Sequence, residues 1–244
     1  MLLAVDIGNT NIKFGVFDGE DIVARFSVPT SSAVNEVVSS FTGPIDSSII
    51  CSVVPDATDR LVGVLLRKIG KAPFVVTNSL NFGLEINYEP ISAVGTDRLV
   101  NSFAAAEKYG VPCIVCSFGS ATTIDAVSGE RELLGGLIAP GFAMMAEALH
   151  MRTAQLPAAE IGQADSPINN TTGDSIRAGV FYSQLGLIET AVLKMKEVVG
   201  EQAKVIATGG FSSLMAERSQ LIDQMDENLT LNGLRILSNR IQPA

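Results

Sequence analysis

Apolar residues alternate with small or polar ones twice in the first nineteen positions. Leu3, Val5 and Ile7 share one face of an extended segment, Gly8-Asn9-Thr10 interrupts it, and Ile12, Phe14 and Val16 resume the same period up to Asp18-Gly19. The pattern predicts a β-hairpin, followed by a strand from Asp21 to Phe26. Further short strands are expected at Ser48 to Val53 and Phe74 to Val76, with a helix from Ala57 to Ile69 between them, which implies a mixed α/β layer. From Asp97 to Lys108, Leu99, Val100, Phe103 and Ala106 recur at helical spacing, and Asp97 stands where an N-cap is expected.

After Gly110-Val111-Pro112 the opening order repeats. An apolar strand runs from Ile114 into Cys116-Ser117, a turn rich in glycine and hydroxyls follows at Phe118-Gly119-Ser120, and a second strand through Ile124 and Val127 ends at Ser128-Gly129. A long helix from Ser175 to Val198 and a strand from Lys204 to Ala207, running into Thr208-Gly209-Gly210, complete this half. Such repetition predicts a duplicated α/β protein, with halves at residues 1–112 and 113–244 facing each other across a cleft.

Composition narrows the function classes. With 244 residues, 47% of them hydrophobic and 18% charged, the chain can bury one large core or two smaller ones. No apolar run reaches the ~18 residues that a membrane helix needs, and Asp6 interrupts Met1 to Val5 with no basic residue before it. Neither a membrane span nor an export signal is expected, and the location expected is cytoplasmic. Three cysteines do not make a disulfide framework, and Cys113-x-x-Cys116 reads as part of a buried strand. A net charge of −9 disfavours nucleic acid as the partner, since phosphate backbones are held by clustered Lys and Arg. A single nucleotide is still compatible, because backbone N–H groups and a divalent ion can meet its charge locally. His150 is the one histidine, so proton transfer falls to a carboxylate.

The turns carry the candidate chemistry. Gly8 lets the backbone approach a phosphate, Asn9, Thr10 and Asn11 offer donors, and Lys13 adds a point charge. Asp6 could hold Mg²⁺, directly or through water, against the β- and γ-phosphates of ATP. An ordinary polar hairpin turn explains these residues equally well on their own. The related mid-chain turn moves the balance to phosphate binding, since two such turns can grip a polyphosphate at both ends. Gly209 and Gly210, at a strand end, would let an adenine or ribose lie against the backbone, although alone they read as a plain strand-to-helix turn. Gly95-Thr96-Asp97-Arg98 sets an acid beside an arginine. Phosphoryl transfer to an alcohol needs a carboxylate to accept the hydroxyl proton and a cation to hold the acceptor or the developing charge. By spacing alone, an N-cap and a surface arginine are the first explanation of that pair.

Asp6-Ile7-Gly8-Asn9-Thr10-Asn11-Ile12-Lys13, Gly95-Thr96-Asp97-Arg98, Phe118-Gly119-Ser120-Ala121-Thr122-Thr123-Ile124-Asp125, Pro140-Gly141 and Leu229-Thr230-Leu231-Asn232-Gly233-Leu234-Arg235 together resemble type III pantothenate kinases, whose wider family includes the Bvg accessory factor. The motifs occur in order along nearly the whole chain. The resemblance implies two ribonuclease-H-like domains of the acetate kinase, sugar kinase, Hsp70 and actin superfamily, a central ATP cleft and a homodimer. It implies ATP-dependent phosphorylation of pantothenate to 4'-phosphopantothenate, the first step towards coenzyme A. Asp6 to Lys13 would form the ATP phosphate loop, and Asp97 would accept the proton. Gly95, Thr96, Asp97 and Arg98 would contact pantothenate, Arg98 through its carboxylate, and Tyr88 and Thr172 would join them. Ser120 replaces a family threonine that contacts ATP. Ser117 stands where the family has an aspartate that binds a monovalent cation, K⁺ or NH₄⁺, and the substitution implies a weaker or absent cation site. Two other readings share these residues: a kinase of the same fold for another small alcohol, and a non-catalytic nucleotide-binding or regulatory homologue.

Overall fold

The opening alternation does fold as a hairpin. In the computed structural model, which describes residues 1–39, 41 and 43–241, β1 (Leu2–Ile7) and β2 (Asn11–Asp18) pair antiparallel around the Gly8 turn, with Ile7 opposite Ile12. β3 (Asp21–Pro29) continues the meander beyond Phe26. Helix α1 (Val34–Ser39) leads to β4 (Ser47–Ser52), helix α2 (Pro55–Ile69) and the short β5 (Phe74–Val75). Pro55 opens α2, where its missing N–H costs nothing, and Gly70 closes it with φ 76 while donating to the Leu66 carbonyl. The strand order is β3-β2-β1-β4-β5, with β4 and β5 parallel to β1.

The pattern then recurs. After β6 (Glu85–Ile86) and α3 (Thr96–Tyr109) come β7 (Cys113–Phe118), β8 (Ala121–Val127) and β9 (Glu132–Pro140), again an antiparallel meander. Helices α4 (Phe142–Arg152) and α5 (Thr172–Val199) precede β10 (Lys204–Gly209), α6 (Ser212–Ala216) and β11 (Gln224–Met225); α7 (Leu229–Ile241) is last. The second sheet runs β11-β10-β7-β8-β9-β6. Read from its third meander strand, β9-β8-β7-β10-β11 reproduces β3-β2-β1-β4-β5 in order and direction, so the duplication is a topological fact. β6 is an addition at its edge.

Two compact units result, though not by one cut at residue 112. Met1–Leu84, Tyr88–Ala104 and the chain from Asn228 on form the first, while Glu85–Asn87 and Ala105–Glu227 form the second. In the first unit Leu3, Val5, Ile7, Ile12, Phe14 and Val16 pack with Val34, Val38, Leu61 and Leu65 of α1 and α2. The opposite face is covered as well, for Gly15 lies against Leu231 of α7. In the second unit Ile114, Cys116, Phe118 and Ile124 pack with Phe142, Phe181, Ile188 and Val192. Each such fully buried side chain contributes ~1.5–3 kcal/mol.

α7 is seated on α3 through Gly233. A Cβ there would lie 2.8 Å from Val100 Cγ1 and 2.9 Å from both Ala104 Cβ and the Val100 carbonyl oxygen. Gly233→Ala is expected to destabilise the fold by ~1–3 kcal/mol through overpacking. Gly186→Ala, at an exposed position of α5 with open space around it, should stabilise by ~0.5–1 kcal/mol. Urea midpoints of the two variants that move in the same direction would contradict this packing.

Candidate active site

Strand register assembles the first cluster. Asp6 of β1 is paired with Lys13 of β2 on one side and with Cys51 of β4 on the other. Directly paired residues project from the same face of a sheet, so Lys13, Asp6 and Cys51 form one cross-strand row. Leu3, Val5 and Ile7 belong to the core on the other face. Ile7 and Ile12 are fully buried there, so any contact they make with a ligand runs through the backbone. Asn9, Thr10 and Asn11 are exposed. The turn is closed by Gly8 N–H donating to the Asn11 carbonyl at 3.0 Å and is braced by Thr30. The Thr30 hydroxyl donates to the Gly8 carbonyl at 2.7 Å and its N–H to the Thr10 carbonyl at 2.9 Å.

The start of α3 adds the second carboxylate. The helix begins at Thr96, so Asp97 is not its N-cap: it sits inside the first turn, where the Arg98 N–H donates to Asp97 Oδ1 at 2.9 Å. An acid there also meets the positive end of the helix dipole. Thr96 is tied to the end of β4, donating to the Ser52 carbonyl at 2.9 Å and accepting from the Cys51 thiol at 3.4 Å. Arg98 is not a surface residue, since only 5% of it is exposed, and its guanidinium lies 5.5 Å from the centre of the half-buried Tyr88 ring.

These groups share one electrostatic environment. Burial pushes the Asp6 carboxyl up to about 6; Lys13 opposes the shift, and the Asp97 charge adds to it. Burial also raises Asp97, against the Arg98 N–H and guanidinium. Burial raises the Cys51 thiol well above its ordinary value, with the charges of Asp6 and Asp97 contributing, so Cys51 is a neutral, unreactive member of the row. Asp6, Lys13, Gly95, Thr96, Asp97, Arg98 and Tyr88 therefore all belong to the first unit.

The second unit holds the related row. Ser117 of β7, two residues before Gly119 as Asp6 is two before Gly8, is paired with Thr123 of β8 and Thr208 of β10. Where the first row reads Lys, Asp, Cys, this one reads Thr, Ser, Thr, three neutral hydroxyls. Gly119 N–H closes the turn on the Ala121 carbonyl at 3.1 Å, and Gly141 N–H donates to the Ser120 carbonyl at 3.1 Å. The two glycines after β10 are not equivalent. Gly209 has φ 95, and a Cβ there would meet the Phe118 backbone, so β7 requires it; Gly210 has open space beside it. Thr172 is exposed in the first turn of α5, after Thr171 caps the helix by accepting from the Asp174 N–H at 3.1 Å.

Three contributors escaped the sequence reading. Cys51 lies in an apolar strand, and nothing local shows that it stands beside Asp6. Thr30 follows Pro29 with no motif around it. Gln184 reads as one polar residue of an amphipathic helix, yet is almost wholly buried. Among the described residues, no group of three or more His, Cys, Asp and Glu side chains could hold a metal, and no helix is long and apolar enough to cross a membrane.

A family model for type III pantothenate kinase matches residues 2–194. A protein named type III pantothenate kinase from Geobacter sulfurreducens is 40% identical over 98% of this chain and 99% of its own length. One of the same name from Moorella thermoacetica is 36% identical with the same coverage. Among solved structures, a Baf family protein from Campylobacter jejuni, described as a candidate transcriptional activator, has a TM-score of 0.60 at 21% identity, covering 98% of this chain and all of that one. Component A of (R)-2-hydroxyglutaryl-CoA dehydratase from Acidaminococcus fermentans has a TM-score of 0.53 at 13% identity, covering 96% and 94%. These structural likenesses speak for the fold alone, a duplicated ribonuclease-H-like architecture.

The Asp6 shift has a consequence for stability. Its folded value, about 6, exceeds the ordinary 3.8, so between those values the folded state holds a proton that the unfolded chain releases, and stability falls as pH rises through that window. Asp6→Asn removes this loss. Its stability gain over the native protein, measured by urea unfolding without ligand, is expected to be clearly larger at about pH 7.5 than at about pH 4. Equal gains at both would show that the carboxylate is not held in a charge-disfavouring place.

Proposed function

This chain belongs to the type III pantothenate kinase family, and from that membership we infer that it phosphorylates pantothenate at the expense of ATP, with Asp97 taking the proton of the attacking hydroxyl. The reaction yields 4'-phosphopantothenate and ADP, the first step towards coenzyme A. The observation that carries the assignment of Asp97 is its half-buried carboxylate, raised by burial and backed by a buried arginine at the adjacent position.

In this reading the hydroxyl oxygen of pantothenate attacks the γ-phosphorus in line as the bond to the β,γ-bridging oxygen breaks, and the hydroxyl proton passes to Asp97. A carboxylate with an elevated pKa is the better proton acceptor at neutral pH. Arg98, stacked near Tyr88, pairs with the pantothenate carboxylate, and Gly95, Thr96 and Thr172 complete the substrate contacts. Residues 6–13, Ser120 and the open backbone at Gly210, beside Gly209, hold the nucleotide. Magnesium suits the first row: Asp6 with Asp97 nearby, opposed by Lys13, leaves negative charge in a poorly solvated place. When bound, Mg²⁺ would neutralise phosphate charge, with Asp6 as its protein contact and water and phosphate as the remaining ligands.

The monovalent cation is a different case. Ser117 and its paired threonines offer oxygens without formal charge, which supports a weak or absent site for K⁺ or NH₄⁺. A homodimer is supported by apolar side chains left exposed on two helices of the second unit, Met144 and Met151 of α4 and Leu193 and Val198 of α5. The three cysteines are all free and buried, which supports a reducing, cytoplasmic location.

Asp97→Asn is expected to lower kcat by ~10²–10⁴-fold while ATP affinity, measured by titration calorimetry, is kept or slightly tightened. A variant that retains most of its kcat would remove Asp97 as the base, and a native protein that binds ATP but releases no ADP with pantothenate would favour the regulatory reading. For the cation, exchanging sodium for potassium should change the native rate by less than about threefold, whereas Ser117→Asp should create a clear potassium activation. Strong potassium dependence in the native protein would refute the reading of Ser117.

A further inference from the structure

We propose that Gln184 is a positioning residue for the second phosphate turn, acting from the middle of α5 through Thr122 and Pro140; this rests on reading that turn as a nucleotide contact. Gln184 is 1% exposed and Thr122 is fully buried, an unusual place for two polar side chains. The Thr122 hydroxyl donates to Gln184 Oε1 at 2.7 Å, and Gln184 Nε2 donates to the Pro140 carbonyl at 2.8 Å and approaches Met145 Sδ at 3.2 Å. One amide thus ties β8, the end of β9 and α4 to α5.

The position of these contacts gives them a role beyond packing. Thr122 is two residues after Ser120, and Pro140 precedes Gly141, whose N–H donates to the Ser120 carbonyl. Ala121 and Pro140 are themselves paired across the β8–β9 ladder. The turn is therefore gripped on both flanks by one side chain, with the Gly141 bond between them. Gly141 permits this approach only because it lacks a Cβ, which would collide with the carbonyls of Gly119 and Ser120. The Pro140 carbonyl, sitting where the chain leaves β9, is the acceptor for the buried Gln184 amide. A buried network with both ends satisfied holds one geometry, and removing one partner leaves the others unpaired.

The test compares Gln184→Met, Thr122→Val and Thr122→Ser in the full chain, by KM for ATP, KM for pantothenate, kcat and melting temperature. Gln184→Met and Thr122→Val are each expected to raise the KM for ATP on the order of tenfold, leaving that for pantothenate within about twofold. Thr122→Ser, which keeps the hydroxyl, should restore the native value. The double variant should be no worse for ATP than the poorer single one, because both remove the same bond. A lower melting temperature with unchanged KM for ATP would reduce Gln184 and Thr122 to core packing and overturn the proposal. If Gln184→Met does not fold, the near-isosteric Thr122→Val decides by the same readouts. Gly141→Ala separates the two levels. If it folds and leaves the KM for ATP unchanged, the turn does not touch nucleotide and both readings fall; if it raises that KM while Gln184→Met and Thr122→Val do not, only the role of Gln184 falls.

Discussion

Much of the site depends on the pairing of β1 with β2 on one side and β4 on the other. Side chains in a strand alternate between faces, so one choice of register sends Leu3, Val5 and Ile7 into the core with α1 and α2 and turns Asp6 to the opposite face. A slip of one residue would exchange the two sets, burying a carboxylate among leucines and valines and taking the apolar residues out of that core. The core therefore enforces the row Lys13, Asp6, Cys51. The same row then holds Asp6 near Asp97, because Thr96 is tied to Ser52 and Cys51 at the end of β4.

The duplication is clear in topology and unequal in chemistry. Both units present a row of paired residues just before a glycine turn, yet the first carries a lysine and a carboxylate and the second only hydroxyls. The turns are also held differently. A hydroxyl just past the third meander strand, Thr30, braces the first, whereas a glutamine on α5 bonds both flanks of the second. Charge management is assigned to the first unit, and backbone shape, through Gly141 and Gly209, to the second. Each core tolerates its own buried polar groups.

Apolar period and turn chemistry made the first meander and the β7–β8 hairpin legible, together with α2, α3, α5 and the glycine turns, because such signals lie within a few residues of one another; β9 gave no such signal. The ends shifted for local reasons: α3 starts at Thr96, one residue before Asp97, and α5 starts at Thr172 because Thr171 caps it. β6 and β11 are two residues long, too short for any period, and exist only as partners of β9 and β10. Grouping α7 with the first unit was equally invisible, since it depends on Gly233 fitting against Val100 and Ala104, over a hundred residues away.

By itself the sequence determined the fold class, the repeated strand-turn-strand order, the residue types available for phosphoryl transfer and, through its ordered motifs, the family. Tertiary structure alone decided which of those residues act together. It moved Asp97 from a cap into the helix, took Arg98 off the surface, set Cys51 beside Asp6, and buried Gln184 beneath the second turn. The physical reason is range. Backbone propensity and hydrophobic period act over a few positions, whereas desolvation, strand register and hydrogen bonding between distant segments arise only when the chain has closed on itself.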